Sequence, residues 1–361
     1  TDMLERLCLF PSLDVLEIKK NCHVLLAEKV LSNIANLSSL ELRGGGRQRI
    51  ESLKLVKQPE SSLSIDGCNS LPTDMLERLC LFPTLQRVEL IFVDNITTLR
   101  GMSCAACLKR LIVSFCKNLR ELPEDIYQFQ ALEDLMIRSC RRIDSFGYPN
   151  PKNSFGQKSL LKSLKQFTVS WCNELTRLPV EMFESCTSLR ELNLSYCRIL
   201  VGFGYLTGLR EVTIGPFSDD SVIEFDWAGL ASSSSLRHVS LSGMRDTKSL
   251  PHQLQNSTTI TSLSLLFFAA IEALPDWLGN LASLEELILF DCQKLEYLPS
   301  VDAMERLKLR RLKIRYCPLL ERRCTLESGS EWPKISNIPE REIDRATSAN
   351  EALSSDSAET L

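Results

Sequence analysis

The chain has 361 residues, with 42 Lys and Arg against 46 Asp and Glu, a formal net charge of -4 and 14 cysteines. A slightly acidic balance gives no general attraction for a phosphate backbone, which argues against nucleic acid as a partner. The longest nearly apolar run starts at Leu263 and is nine residues long, against roughly 18 for a membrane span, so none is expected.

The first element is a repeat. The opening stretch TDMLERLCLFPSL returns at Thr73 as TDMLERLCLFPTL, an offset of 72 residues, or three periods of 24. Apolar frames of the form L-x-x-L-x-L begin at Leu13, Leu37, Glu60 (degenerate), Leu85, Leu108, Leu132, Leu164, Leu189, Leu209, Leu236, Ile260, Leu284 and Leu309, thirteen in all. Five of them read closely as L-x-x-L-x-L-x-x-C-x-x-L-x-x-L-P. This is the leucine-rich-repeat pattern, in which each unit supplies one short strand and a helix or turn and cannot bury its apolar face alone. The expected fold is α/β: a leucine-rich-repeat solenoid, or horseshoe, with a parallel sheet on the concave face and short helices or turns on the convex one.

In chain order, the array is irregular between Gly44 and Gln58 and again between Ile143 and Lys162, and its tightest frames begin at Leu108, Leu164, Leu189, Leu284 and Leu309. The 32 residues from Leu132 to Leu164 include DSFGYPNPKNSFGQK, whose prolines and glycines predict a loop, and Leu209 to Leu236 predicts a second, acidic one around Asp219, Asp220, Glu224 and Asp226. Within each frame the alternating apolar residues face inward, so Leu111 and Val113 are expected in the core and Arg110, Ile112 and Phe115 outward. A cysteine follows the strand at positions 68, 116, 140, 172, 197, 292 and 317, where a small buried thiol suits a stacked turn and points to a reducing compartment. Prolines at 72, 123, 179, 251, 275 and 299 suit the start of the convex segment.

The array is assigned residues 1–324, a C-terminal cap segment 325–344, and a disordered tail 345–361 that is poor in large apolar residues. The chain opens inside a repeat, so further repeats and domains are expected upstream.

Chemistry-bearing constellations are sparse. The three histidines lie beside no nucleophile motif and no phosphate loop occurs, so no enzyme, catalytic residue, cofactor or metal site is expected. Cys104 and Cys107 form CAAC without a second pair at zinc spacing, and the sequons at Asn36, Asn95, Asn193 and Asn256 are read as chance. Two surface features remain. Aromatic residues recur just before the turn cysteine or its equivalent, at Phe92, Phe115, Trp171, Tyr196, Phe267 and Tyr316, with Phe290 one place earlier, and such side chains are typical anchors for a protein partner. The last frame places Arg310, Arg311, Lys313 and Arg315 outward with no acid among them, whereas early strands place Glu17, Glu41 and Glu89 outward.

The cysteine after the strand and the LP before the convex segment resemble the repeat domain of plant intracellular nucleotide-binding leucine-rich-repeat disease resistance proteins. The closing ERRCTLESGSEWPKISNIPEREID from Glu321 resembles the end of coiled-coil members of that family. The resemblance covers about residues 1–344. It implies a cytoplasmic or nucleocytoplasmic domain whose partners are a pathogen effector or a guarded host protein, and which restrains the receptor's own nucleotide-binding core. The core's phosphate loop is not in this chain. The alternative is the substrate-recognition repeat of an F-box ubiquitin ligase adaptor, whose units usually continue C-x-x-[IL]-T without LP. A secreted receptor or inhibitor would instead carry G-x-[IL]-P after the strand.

Overall fold

A computed structural model of the chain describes residues 15–22, 39–44, 50–56, 62–67, 85–99, 102, 107–122, 126, 129–144, 161–175, 186–197, 206, 208–217, 233–244, 246–325 and 329–344, the first three strands by their backbone alone. The expected loop DSFGYPNPKNSFGQK beyond Asp144, the acidic one around Asp219, Asp220, Glu224 and Asp226, and the tail from 345 lie outside the described residues. The chain divides into two units, Thr1–Leu209 and Arg210–Leu361.

Among the described residues the first unit holds nine strands: β1 (Val15–Cys22), β2 (Ser39–Gly44), β3 (Ile50–Val56), β4 (Ser62–Asp66), β5 (Arg87–Ile91), β6 (Arg110–Ser114), β7 (Asp134–Arg138), β8 (Gln166–Ser170) and β9 (Glu191–Ser195). From β4 onward the pairing is parallel and in register, so that Ser62, Arg87, Arg110, Asp134, Gln166 and Glu191 stand side by side. The register follows from the pattern. A slip of one residue would turn Val88, Leu90, Leu111 and Val113, all fully buried, out to solvent.

The second unit repeats the arrangement with β10 (Glu211–Phe217), β11 (His238–Gly243), β12 (Ser262–Leu266), β13 (Glu286–Phe290), β14 (Arg311–Arg315) and β15 (Glu340–Ile343), all parallel neighbours. Every one of the thirteen frames read from the sequence carries a strand that begins two residues after its first position. The solenoid of leucine-rich-repeat type is therefore the fold.

A shared hydrogen-bond device stitches the units. At eight places the carbonyl before a strand accepts two amides of the next unit: Lys109 O takes Glu133 N at 2.8 Å and Asp134 N at 3.0 Å, and Glu285 O takes Arg310 N at 2.8 Å and Arg311 N at 3.0 Å. The turn cysteines add a second link. Cys116 Sγ donates to Leu90 O at 3.7 Å, Cys197 Sγ to Val169 O at 3.5 Å and Cys292 Sγ to Leu265 O at 3.8 Å, each reaching the preceding unit's strand. This supplies the reason for cysteine rather than alanine at that place: a small residue that also donates weakly to a buried carbonyl. Hydrogen bonding with the next turn thiol (Cys140, Cys197 and Cys317 respectively), reinforced by burial, raises the Cys116, Cys172 and Cys292 thiols well above their ordinary value, and burial pushes Cys186 and Cys324 up to about 12, so these five are inert structural thiols.

Two strands were not in the frames. β3 lies between β1 and β2 and pairs antiparallel with both, so the sheet is not purely parallel as expected. β2 ends at Gly44 and β3 starts at Ile50; a parallel return needs a connection of about a dozen residues or more, so this short link can only reverse the chain.

β15 belongs to the cap segment. It extends the second unit by one strand beyond the last repeat, with Glu340 N on Arg310 O at 2.9 Å. The convex segments of this unit are short. Pro251 and Pro275 precede 3-10 turns at His252–Asn256 and Asp276–Asn280, and Ser300 caps helix α1 (Val301–Arg306) by accepting from Ala303 N. Helix α2 (Pro318–Arg323) follows β14, and α3 (Trp332–Ile335) leads to β15. The α3 region is locked by a buried pair: Glu331 Oε2 accepts Leu298 N and Lys334 Nζ, both at 2.8 Å, while Lys334 Nζ also donates to Leu298 O at 3.1 Å.

Candidate functional site

In β4–β9 and β12–β14 the residue after the strand turns the chain away from the sheet with a left-handed backbone. Gly67 does this in the unit of β4 at φ 66°, and glycine carries no penalty there. Elsewhere the position holds Phe92, Phe115, Ser139, Trp171, Tyr196, Phe267, Asp291 and Tyr316, all with φ between 52° and 61°. A side chain in this region costs about 1–2 kcal/mol per residue. Six of these eight residues are aromatic, and all six are among those singled out from the sequence.

The rings stand at the end of the strand, where the chain leaves the sheet, and Phe290 alone is a strand residue. In the first unit Phe92 and Phe115 stack with centroids 4.7 Å apart and planes 16° apart, and Trp171 and Tyr196 stack at 3.8 Å and 8°. Phe92, Phe115 and Trp171 remain 46%, 43% and 48% exposed. Tyr196 is half-buried, and that desolvation raises its hydroxyl above the ordinary tyrosine range. In the second unit Phe290 meets Phe267 edge-on at 5.6 Å and Tyr316 edge-on at 5.2 Å, with Tyr316 60% exposed. The sequence-predicted aromatics thus come together as two separate ladders, one in each unit.

The basic residues are arranged otherwise than expected. Arg310, Arg311 and Arg315 are exposed and Lys313 is half-buried, but β15 lays acids beside them. Arg311 Nε lies 2.6 Å from Glu340 and its Nη1 3.4 Å from Glu286; Lys313 Nζ lies 3.7 Å and Arg315 Nη2 3.0 Å from Glu342. The patch read as four cations with no acid among them is therefore largely neutralised within the unit, and the last repeat is not a bare basic edge. Sequence reasoning missed Glu340 and Glu342 because they lie outside any leucine frame. The alternation Glu340, Arg341, Glu342, Ile343 was the available signal.

A further charged residue was also missed. Asp134 is buried at the first outward position of β7, 2.9 Å from Arg110 Nε, and its Oδ1 has no hydrogen-bond partner among the described residues. Burial raises its pKa, which Arg110 only partly offsets. Of the other candidates, Cys107 is exposed while Cys104 lies outside the described residues, and Asn193 Oδ1 accepts from Ser195 N at 3.1 Å and Ser195 Oγ at 2.7 Å. Among the described residues there is no group of three or more potential metal ligands, and no helix long and apolar enough to cross a membrane.

No family model matches the chain. Among curated proteins it is similar to Disease resistance protein RPP4 of Arabidopsis thaliana, 26% identical over 264 residues that cover 70% of this chain and 20% of the relative. It is likewise similar to Protein SUPPRESSOR OF npr1-1, CONSTITUTIVE 1 of the same plant, 26% identical over 285 residues, 78% of this chain and 17% of the relative. The chain thus spans about a fifth of the length of the curated relatives it matches. Among solved structures it resembles the leucine-rich repeat domain of the type III effector XopL, at 19% identity and TM-score 0.41, over 68% of this chain and 76% of that one. The chain is a leucine-rich-repeat domain with distant relatives among plant disease resistance proteins.

Proposed function

We propose that this chain is the protein-binding repeat domain of a plant intracellular immune receptor of the nucleotide-binding leucine-rich-repeat family, coiled-coil class. In this reading it acts in the cytoplasm, recognises a pathogen effector or a guarded host protein, and restrains the receptor's nucleotide-binding core. The observation that carries the reading is the pair of aromatic ladders. Six large rings occupy a left-handed position that glycine would fill without strain, and three of the four in the first unit are more than two-fifths exposed. Stability alone does not favour that choice. Rigid aromatics supply contact area at low entropy cost, which is what a binding surface requires. The distant resistance-protein relatives and the EWPKI cap segment support the immune context.

The test is proximity labelling from the full-length receptor in plant tissue, comparing the parent with a variant carrying both Trp171→Ala and Tyr196→Ala. Proteins enriched by the parent should be lost from the variant, with affinity for the purified partner lowered about tenfold or more and an unchanged thermal melt. An unaltered set of partners, or a variant that fails to fold, removes the aromatic-anchor reading.

A further inference from the structure

The two ladders differ at one rung. In the second unit the left-handed position of β13 is Asp291, not a ring, yet Phe290 one residue earlier contacts both Phe267 and Tyr316 and closes the interval. In the first unit the corresponding rung is Ser139, between Phe115 on β6 and Trp171 on β8. The residue one place earlier is Arg138, and it does not close the interval. Arg138 is exposed, and among the described residues the only guanidinium groups over rings are Arg323 on Tyr297 and Arg341 on Trp332.

The spacing of the interval is set by the sheet. β6, β7 and β8 are in-register neighbours, and Phe115 N, Ser139 N and Trp171 N each bond the next strand's last carbonyl at 2.9, 2.8 and 3.1 Å. Strands about 4.8 Å apart place the backbone of Phe115 and Trp171 roughly 9.6 Å from each other. Phe92 and Phe115, one strand apart, stack at 4.7 Å. One additional ring above Ser139 would therefore meet both neighbours at that same spacing and complete a five-ring stack.

The surrounding charge selects among planar groups. Arg138, Arg141 and Arg142 are exposed and form no ion pair among the described residues; Arg142 donates to Asn118 Oδ1 at 3.1 Å. Lys117 in the preceding turn is already paired with Asp94, and the acids nearby in sequence are Asp144 in the same turn and Glu174 in the following one, leaving the arginines in excess. Three unpaired arginines disfavour an incoming guanidinium and favour carboxylates. We propose that the interval over Ser139 is a slot for an aromatic side chain of a partner protein, presented on a segment that carries Asp or Glu beside it. The ring inserts between Phe115 and Trp171 and the flanking carboxylates pair with Arg138 and the turn arginines. This deepens the protein-binding reading above and rests on it.

The probes are two fluorescein-labelled peptides, Gly-Ser-Glu-Glu-Tyr-Glu-Glu-Ser-Gly and the same peptide with Leu for Tyr, titrated against the whole chain by fluorescence anisotropy. The Tyr peptide should bind about tenfold more tightly than the Leu peptide. Ser139→Phe, which fills the slot with a residue its neighbours tolerate in this backbone, should lower Tyr-peptide affinity by about tenfold, whereas Ser139→Ala should bind as the parent does. Arg138→Glu should weaken both peptides at low salt by about threefold and flatten the salt dependence. Should Ser139→Phe not fold, Phe115→Ala takes its place and must reduce the preference for Tyr. Equal binding of the two peptides to the parent, or a folded Ser139→Phe with unchanged affinity, overturns the slot. If that happens while Trp171→Ala with Tyr196→Ala still abolishes partner capture, the anchor reading stands and only the slot is lost.

Discussion

Two stretches of the molecule, β5–β9 and β12–β14, carry the same backbone solution and use it differently. In both, the last strand residue and the left-handed residue after it form adjacent columns running across the sheet. In the first stretch these columns hold the exposed Arg138, which has no ion pair among the described residues, and then Ser139; in the second they hold Phe290 and Asp291, followed by Arg315, which is paired with Glu342 at 3.0 Å, and Tyr316. One region leaves a ring interval and a cation open to solvent, and the other closes both from within its own chain. The repeat thus fixes the backbone, including its strain, while single substitutions in a column decide whether a surface is self-satisfied or available.

The largest expected effect removes what closes the second region. Glu331 is 3% exposed, and its carboxylate is balanced by Lys334. Lys334→Met leaves that charge buried with only the Leu298 amide among its described partners, a change worth about 3 kcal/mol. Hydrogen exchange of the β14 and β15 amides should accelerate accordingly, and the arginines of β14 should lose their glutamates and come to resemble Arg138. Unchanged protection would mean that β15 is held by its own pairing and not by the cap. Next in size is a matched pair at the same rung. Phe290→Ala deletes a half-buried ring with two edge-on contacts and should cost about 2 kcal/mol, while Arg138→Ala should lie within about 0.5 kcal/mol of the parent. Chemical denaturation of both variants checks this, and equal losses would erase the distinction between a filled and an open rung.

A smaller effect separates backbone from ring. Ser139→Gly relieves the left-handed strain without removing a ring and should stabilise by about 0.5–1 kcal/mol. Phe115→Gly gains the same relief but loses its stack on Phe92, a contact worth about 0.5–1.5 kcal/mol, so its net change should be near zero. A Phe115→Gly variant as stable as Ser139→Gly would show that the stack contributes nothing.

These columns also mark what could be read from the sequence. The thirteen frames were legible because Leu, Val and Ile recur at inward positions that a solenoid must bury, as at Leu111 and Val113. The aromatic column was legible because it sits at a fixed place relative to the turn cysteine. Its left-handed backbone was not, since that conformation announces itself through glycine, and only Gly67 does so. β3 escaped because it pairs antiparallel through a short reversal, outside the period. β15 escaped because Ile343 is the one apolar residue of the strand and is itself only half-buried, the nearest core residues being Ile335 and Ile338 before it. The reading of the last repeat as a basic edge failed for the same reason: its counter-charges come from a strand 29 residues further along the chain in the case of Arg311 and Glu340, and 27 in the case of Arg315 and Glu342.

The smallest effect tests that correction directly. Arg315 and Glu342 are both about half exposed, so their coupling in a double-mutant cycle with Arg315→Ala and Glu342→Ala should be only about 0.2–0.5 kcal/mol and should shrink as salt is raised. The low figure does not make the pair irrelevant. A pair too weak to stabilise the fold still cancels the field that would otherwise steer acidic partners to this end of the second unit. Glu342→Lys, which leaves Arg315 and Lys313 unopposed, should therefore change stability little yet raise binding of the acidic tyrosine peptide to a chain whose own slot has been closed by Ser139→Phe. If that variant gains no affinity at low salt, charge alone does not decide which end of a column is open, and the difference between the two regions rests on the missing ring.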